Sequence, residues 1–179
     1  MSTSVARFLT RHGLSMATAE SCTAGLIASC IADVPGSGGV LRCAIVAYAP
    51  EIKMSVLRVP RHLIDTHGLT SEPVSLAMAL GVLRLSDASL AIANTGVADG
   101  KVGDGTPPGT QCYAWVFRHH GRVAAFTETA RFDGTRNTVR VAAARYGIAR
   151  VPHYFELFVR GEGTPVNVSP RAAPAPSQQ

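Results

Sequence analysis

Apolar positions along the chain fall into short stretches with two different periods. Residues 5–13 carry the spacing of a short first helix, closed by Gly13 as a C-cap. "LSMATAE" then reads as a strand, and "CTAGLIASCIADVPG" as a helix stopped by Pro35 and Gly36. "LRCAIVAY" is a second buried strand, its apolar run too short for a typical helix. "PEIKMSVLRVP" and "PRHLIDTHG" read as short helices separated by Pro60. Apolar or small residues at 74, 77, 78, 81, 82 and 85 lie on one face of a longer helix. "ASLAIANTG" is a third strand that runs into a glycine-rich loop, and residues 110–132 read as a hairpin turning near His120-Gly121. A last helix begins near Gly134 and runs toward Tyr146, and Pro152 breaks or kinks the chain beyond it.

Helices between the early strands, followed by a late hairpin, predict a three-layer α/β/α sandwich around a mixed, mainly parallel sheet. With 179 residues, the expectation is one domain over residues 1–160. The Pro-, Ala-, Ser- and Gln-rich stretch 161–179 is expected to be a disordered tail. No internal repeat is visible.

Composition changes this picture little. Hydrophobic residues make up 46% and charged residues 16%, as in ordinary globular domains. No apolar run reaches spanning length and the first residues lack a signal-peptide core, so no membrane partner and a cytoplasmic location are expected. The net charge of +5 comes from scattered arginines without aromatic interleaving, which argues against nucleic acid as a partner. Cys22, Cys30, Cys43 and Cys112 show no CxxC spacing and read as free thiols. His62, Asp65 and His67 have ligand-like spacing but fit a helix end better, so no metal site is expected.

Candidate chemistry centres on "TAESCTAGLIAS", Thr18 to Ser29. Ser21 sits where a buried strand hands over to a helix. Ser21 or Thr23 there can cap the first turn. The same geometry gathers free N–H groups that suit an oxyanion, and a hydroxyl beside them becomes a nucleophile if a base takes its proton. Cys22 competes for that role, because a helix N-terminus lowers a thiol pKa. It has no evident histidine partner, and a buried structural cysteine is the better reading. Lys53 is the candidate base: only Lys53 and Lys101 among seventeen cations are lysines, and arginine cannot give up a proton. The bland alternative for Lys53 is a solvated helix lysine. Tyr48, at the end of the preceding strand, is placed to orient or relay a proton. The glycine-rich loop "NTGVADGKVGDGTPPGT" fails the phosphate-loop pattern, since Gly96 and Gly100 are misspaced and no Ser or Thr follows Lys101.

In order and spacing, "TAESCTAGLIAS", "DVPGSGG", "IVAYAPEIKMSVLRVP", "HGLTSEPVSLAMALG", "NTGVA" and "FDGTRNTVR" resemble the CinA C-terminal domain family of nicotinamide-mononucleotide amidases over roughly residues 5–150. The resemblance implies metal- and cofactor-free hydrolysis of the carboxamide of nicotinamide mononucleotide to the acid nucleotide and ammonia. It implies Ser21 as nucleophile, Lys53 as base and Tyr48 as its assistant. It further implies a small nucleotide as substrate, contacted by Cys22, Thr23, Gly25, Thr95, Gly96 and Arg136, and a homodimer. First-turn amides near Cys22 and Thr23 are then expected to hold the oxyanion. Arg136 is left with two roles, binding the phosphate or polarising the amide.

Three departures stand out. Ala24-Gly25 replaces a glycine pair, and Ala49-Pro50 follows the tyrosine where serine-asparagine is usual. "ADGKVGDG" replaces "AGPGGG", which puts Asp99 where the family has a glycine and where an acid would repel a substrate phosphate. The rival reading is a catalytically silent nucleotide-binding module of the same fold.

Overall fold

The computed structural model of the chain describes residues 2–100 and 105–168. Its elements run α1 (Ser2–Arg11), β1 (Met16–Glu20), α2 (Leu26–Ala32), a 3-10 turn (Ser37–Gly39), β2 (Leu41–Val46), α3 (Pro50–Ser55), α4 (Arg61–His67), α5 (Glu72–Leu85), β3 (Leu90–Gly96), β4 (Thr110–His119), β5 (Arg122–Arg131), α6 (Arg136–Ala149), α7 (Val151–Val159) and β6 (Thr164–Pro165).

One sheet, in the order β2-β1-β3-β4-β5-β6, divides two helix layers. Alternation along the strands sorts the two faces by size. Met16, Leu90, Ile92, Tyr113, Trp115 and Phe117 pack against α1, α2, α6 and α7. Ala17, Ala19, Ala91, Ala93 and Ala114 line the other face, where small side chains let α5 lie close. Gly81 of α5 completes that approach: a Cβ there would stand 2.2 Å from the Leu57 carbonyl oxygen. On the aromatic face, Tyr113 Oη donates to the Ala143 carbonyl at 3.0 Å and Trp115 Nε1 to the Gly147 carbonyl at 2.8 Å. Both bonds fasten α6 to the sheet.

The sheet is mixed, as expected, but "mainly parallel" holds only for its first half. β1 pairs in parallel with β2 and β3, whereas β3-β4, β4-β5 and β5-β6 are antiparallel. The hairpin and the chain end add their strands without crossover helices, so these strands enter antiparallel. The β4–β5 turn lies at His120-Gly121 as expected, both residues having positive φ (49° and 75°). That is the backbone a two-residue hairpin loop requires.

Two boundaries differ from expectation. Pro152 lies in the first turn of α7, where a missing N–H costs nothing, so it starts a helix and does not merely break one. Within the segment expected to be a disordered tail, Thr164–Pro165 pair with β5, and Val166 and Val168 pack on the α5-side core. The reason is the uncovered edge of β5, which accepts further backbone pairing. Residues 169–179 of that segment and Lys101 lie outside the described residues.

The register sets up the site. Glu20 of β1 is level with Val46 of β2 and Asn94 of β3, so the residues that follow, Ser21, Ala47 and Thr95, come side by side, Ser21 and Ala47 just past their strands and Thr95 still in β3. From the neighbouring strands β1 and β2 the chain departs to opposite layers, toward α2 and toward α3–α5. The carboxyl ends of these strands are thus a point where the chain direction switches layers, the usual location of sites in open α/β sheets.

Candidate active site

The β1–α2 connection makes a sharp turn over residues 21–25. Ser21 N–H donates to the Asn94 carbonyl at 3.0 Å and Ala24 N–H to the Ser21 carbonyl at 3.0 Å. Ala24 and Gly25 both take left-handed backbone, at φ 49° and 91°. Helix α2 consequently begins at Leu26 with Gly25 as its N-cap, and no side chain at the cap position bonds the first turn. Neither Ser21 nor Thr23 is the cap expected from the sequence.

The last residue of β1 does the capping instead. Glu20 is fully buried, and its carboxylate accepts from the backbone N–H groups of Gly25, Ile27 and Ala28 at 2.9, 3.0 and 2.9 Å. Thr23 Oγ1 and Thr18 Oγ1 add bonds of 2.7 and 3.0 Å. An anion at a helix start is favourable in itself. Its larger consequence is that the Ser21 hydroxyl is left for other work.

That hydroxyl meets Lys53. Lys53 Nζ lies 2.9 Å from Ser21 Oγ, and it also donates to the carbonyls of Ala47 and Tyr48 at 2.6 and 3.0 Å. Only 1% of Lys53 is exposed, and among the described residues no carboxylate pairs with it. Burial with no compensating anion pulls its pKa down from 10.5 to about 8. A lysine in that state is neutral in about a tenth of molecules at pH 7. The reading of Lys53 as a solvated helix lysine is overturned.

Cys22 is buried with its Sγ against Gln111 Nε2 at 3.4 Å, and burial, the largest effect, raises its pKa. A thiol held protonated is a poor nucleophile. Gln111 also receives Asn94 Nδ2 on its Oε1 at 3.1 Å and donates to the Val97 carbonyl at 3.2 Å. Asn94 Oδ1 in turn accepts from Thr23 N–H at 3.3 Å.

The expected oxyanion donors are therefore reduced. Glu20 and Asn94 occupy the amides of Thr23, Gly25, Ile27 and Ala28. Among the described residues, the Cys22 N–H is the amide next to Ser21 that has no acceptor within the chain.

The remaining expected residues divide. Gly25 shapes the turn. Thr95 is buried and its Oγ1 donates to the Leu69 carbonyl at 2.9 Å, tying β3 to the α4–α5 link. Gly96 makes room for Gln111, whose Oε1 would lie 2.4 Å from a Cβ there. Tyr48 reaches Lys53 through its carbonyl, whereas its exposed hydroxyl accepts from Arg136 Nη2 at 2.7 Å. Arg136, the first residue of α6, also donates from Nη1 to Asp99 Oδ1 at 2.6 Å. Sequence reasoning missed Glu20, Asn94, Gln111 and Arg140. Arg140 donates from Nε and Nη2 to the carbonyls of Cys22 and Thr23 at 3.0 and 3.2 Å, clamping the 21–25 turn from α6. Its spacing of four from Arg136 was the available signal, since such residues share a helix face.

The CinA C-terminal domain family model matches residues 1–155, most of the described chain. This chain belongs to that family. Within the CinA family, it is 42% identical over 134 residues to a CinA-like protein of Chlorobium limicola, covering 74% of this chain and 31% of that protein. It is 44% identical over 137 residues to a CinA-like protein of Mycobacterium tuberculosis, covering 76% and 31%. The chain spans about a third of the length of the curated relatives it matches. A crystal structure of a CinA superfamily protein from Klebsiella pneumoniae superposes with a TM-score of 0.81 at 33% identity, covering 87% of this chain and 95% of that one. No helix among the described residues is long and apolar enough to cross a membrane.

Proposed function

We propose that this chain hydrolyses the carboxamide of nicotinamide mononucleotide, releasing ammonia and the acid nucleotide, with Ser21 as nucleophile and Lys53 as base. The observation that carries the reading is the buried Lys53 Nζ, 2.9 Å from Ser21 Oγ with no anion to hold its proton.

In the neutral amine, two N–H bonds to the carbonyls of Ala47 and Tyr48 leave the nitrogen lone pair directed at the Ser21 hydroxyl. Lys53 accepts that proton as Ser21 Oγ bonds to the carboxamide carbon. The Cys22 N–H donates to the oxyanion of the tetrahedral intermediate. As the C–N bond breaks, protonated Lys53 returns its proton to the leaving nitrogen and ammonia departs. Water then adds to the acyl-serine with Lys53 again as base, giving the carboxylate and free Ser21. The cycle consumes one water and needs no metal or cofactor.

Arg136 and Tyr48 stand beside this centre as the groups that orient the nucleotide. The reading carries with it a cytoplasmic homodimer. Support for the dimer is the outer edge of β2, which no strand among the described residues covers, together with the exposed apolar Val46 of β2 and Ile52 and Val56 at α3.

Ammonia release from nicotinamide mononucleotide tests the proposal. Activity that disappears in Ser21→Ala supports it. Nucleotide binding without any release would instead favour the silent module.

A further inference from the structure

Arg136 heads α6, one turn before the arginine that clamps the 21–25 turn, and both of its outer nitrogens are already engaged from within the chain. Nη1 donates to Asp99 Oδ1 at 2.6 Å and Nη2 to Tyr48 Oη at 2.7 Å. A free guanidinium offers such paired N–H groups to one phosphate or carboxylate. Here its fork is split between a carboxylate and a phenol. Arg140, one turn further along α6, is committed to the carbonyls of Cys22 and Thr23. The side chains of Arg136 and Asp99 are 53% and 49% exposed, so a ligand can reach the pair and contest it.

Asp99 thus presents to Arg136 the same chemistry that an anionic substrate would present: a negatively charged oxygen at hydrogen-bonding distance. It does more than add a like charge near a phosphate. A tethered carboxylate competes at an effective concentration on the order of millimolar, comparable to ordinary substrate levels.

We propose that Asp99 is a specificity-determining residue: its carboxylate stands on Arg136 in place of the substrate's anionic group and lowers the chain's preference for phosphorylated over unphosphorylated carboxamide substrates. The choice of substrates rests on the amidohydrolase reading; the contest for Arg136 does not.

The test uses the full chain, Asp99→Asn, Asp99→Gly and the double variant Asp99→Asn/Arg136→Gln. Ammonia release is measured with nicotinamide mononucleotide and with nicotinamide riboside, its unphosphorylated counterpart, and inorganic phosphate is titrated by calorimetry. Both single variants are expected to raise the nucleotide-to-riboside ratio of kcat/KM by about tenfold, the scale of one charge-assisted hydrogen bond, through the nucleotide KM. Phosphate affinity rises in parallel, and the double variant loses both gains. Equal changes for the two substrates, or unchanged phosphate affinity in both single variants, overturn the inference. If no protein releases ammonia from either compound, the amidohydrolase reading fails. The phosphate titration then decides the inference alone: a gain that needs Arg136 upholds it, and no gain refutes it.

Discussion

Lys53 Nζ stands 2.9 Å from Ser21 Oγ, although Ser21 follows β1, Lys53 belongs to α3, and the two lie 32 positions apart. Neighbouring Cys22 is turned to Gln111 and raised in pKa by burial. Ser21→Ala should therefore remove ammonia release by at least about a thousandfold, the scale of losing an activated nucleophile. Cys22→Ala should keep activity within about tenfold. Steady-state kinetics of both variants decide between the two residues, and a dead Cys22→Ala with an active Ser21→Ala would reverse the assignment.

If neutral Lys53 is the base, kcat/KM should climb with pH and level off above about 8, where its proton is lost. Lys53→Arg retains the charge but cannot give up a proton. It should be nearly as inactive as Lys53→Met across the whole range. Substantial activity in the arginine variant would mean that Lys53 serves only as a positive charge.

Stability should carry the same signature. The folded-state pKa of Lys53 lies below its unfolded value, so below about pH 8 the folded chain bears the cost of a buried charge. Between about 8 and 10.5 the folded state loses that proton first, and wild type gains stability with rising pH. At 1.36 kcal/mol per pKa unit, the full gain is at most about 3 kcal/mol. Denaturant titrations of wild type and Lys53→Met should show their difference shifting toward wild type over that window. A difference independent of pH would contradict the depressed pKa.

Glu20→Gln replaces an acceptor of five hydrogen bonds with a group that must turn an NH2 toward some of those donors. A loss of about 2–4 kcal/mol in denaturant stability is expected from the unsatisfied buried groups. Activity should fall as well, with Ser21 and Lys53 both intact, because the turn that aims Ser21 loosens. Wild-type stability in this variant would show that the carboxylate is not what holds the turn.

Legibility from sequence divided along the same lines. Strands β1 to β5 could be read from apolar runs, and the hairpin from the His120-Gly121 turn, because those signals are local. Ser21, Lys53 and Tyr48 were legible through the resemblance and the scarcity of lysine. The start of α2 was not, because its cap, Glu20, reaches in from the preceding strand and does not sit at the cap position. Glu20 looked like an ordinary strand end. The internal contacts of Thr95 with Leu69 and of Gly96 with Gln111 join segments far apart in the chain and left no local trace. Arg140 could be picked out only by its spacing of four from Arg136, a weak signal in a chain with fifteen arginines. The Asp99–Arg136 pair joins residues 37 apart, and no local pattern announces it.

Covalent acylation of Ser21 is what separates this mechanism from every alternative, and it can be read by mass spectrometry of the protein quenched during incubation with nicotinamide mononucleotide. Wild type should gain the mass of the substrate less ammonia, with fragmentation locating it on Ser21. Cys22→Ala should show the same adduct and Ser21→Ala should show none. An adduct on Cys22, or one that survives Ser21→Ala, would contradict the account.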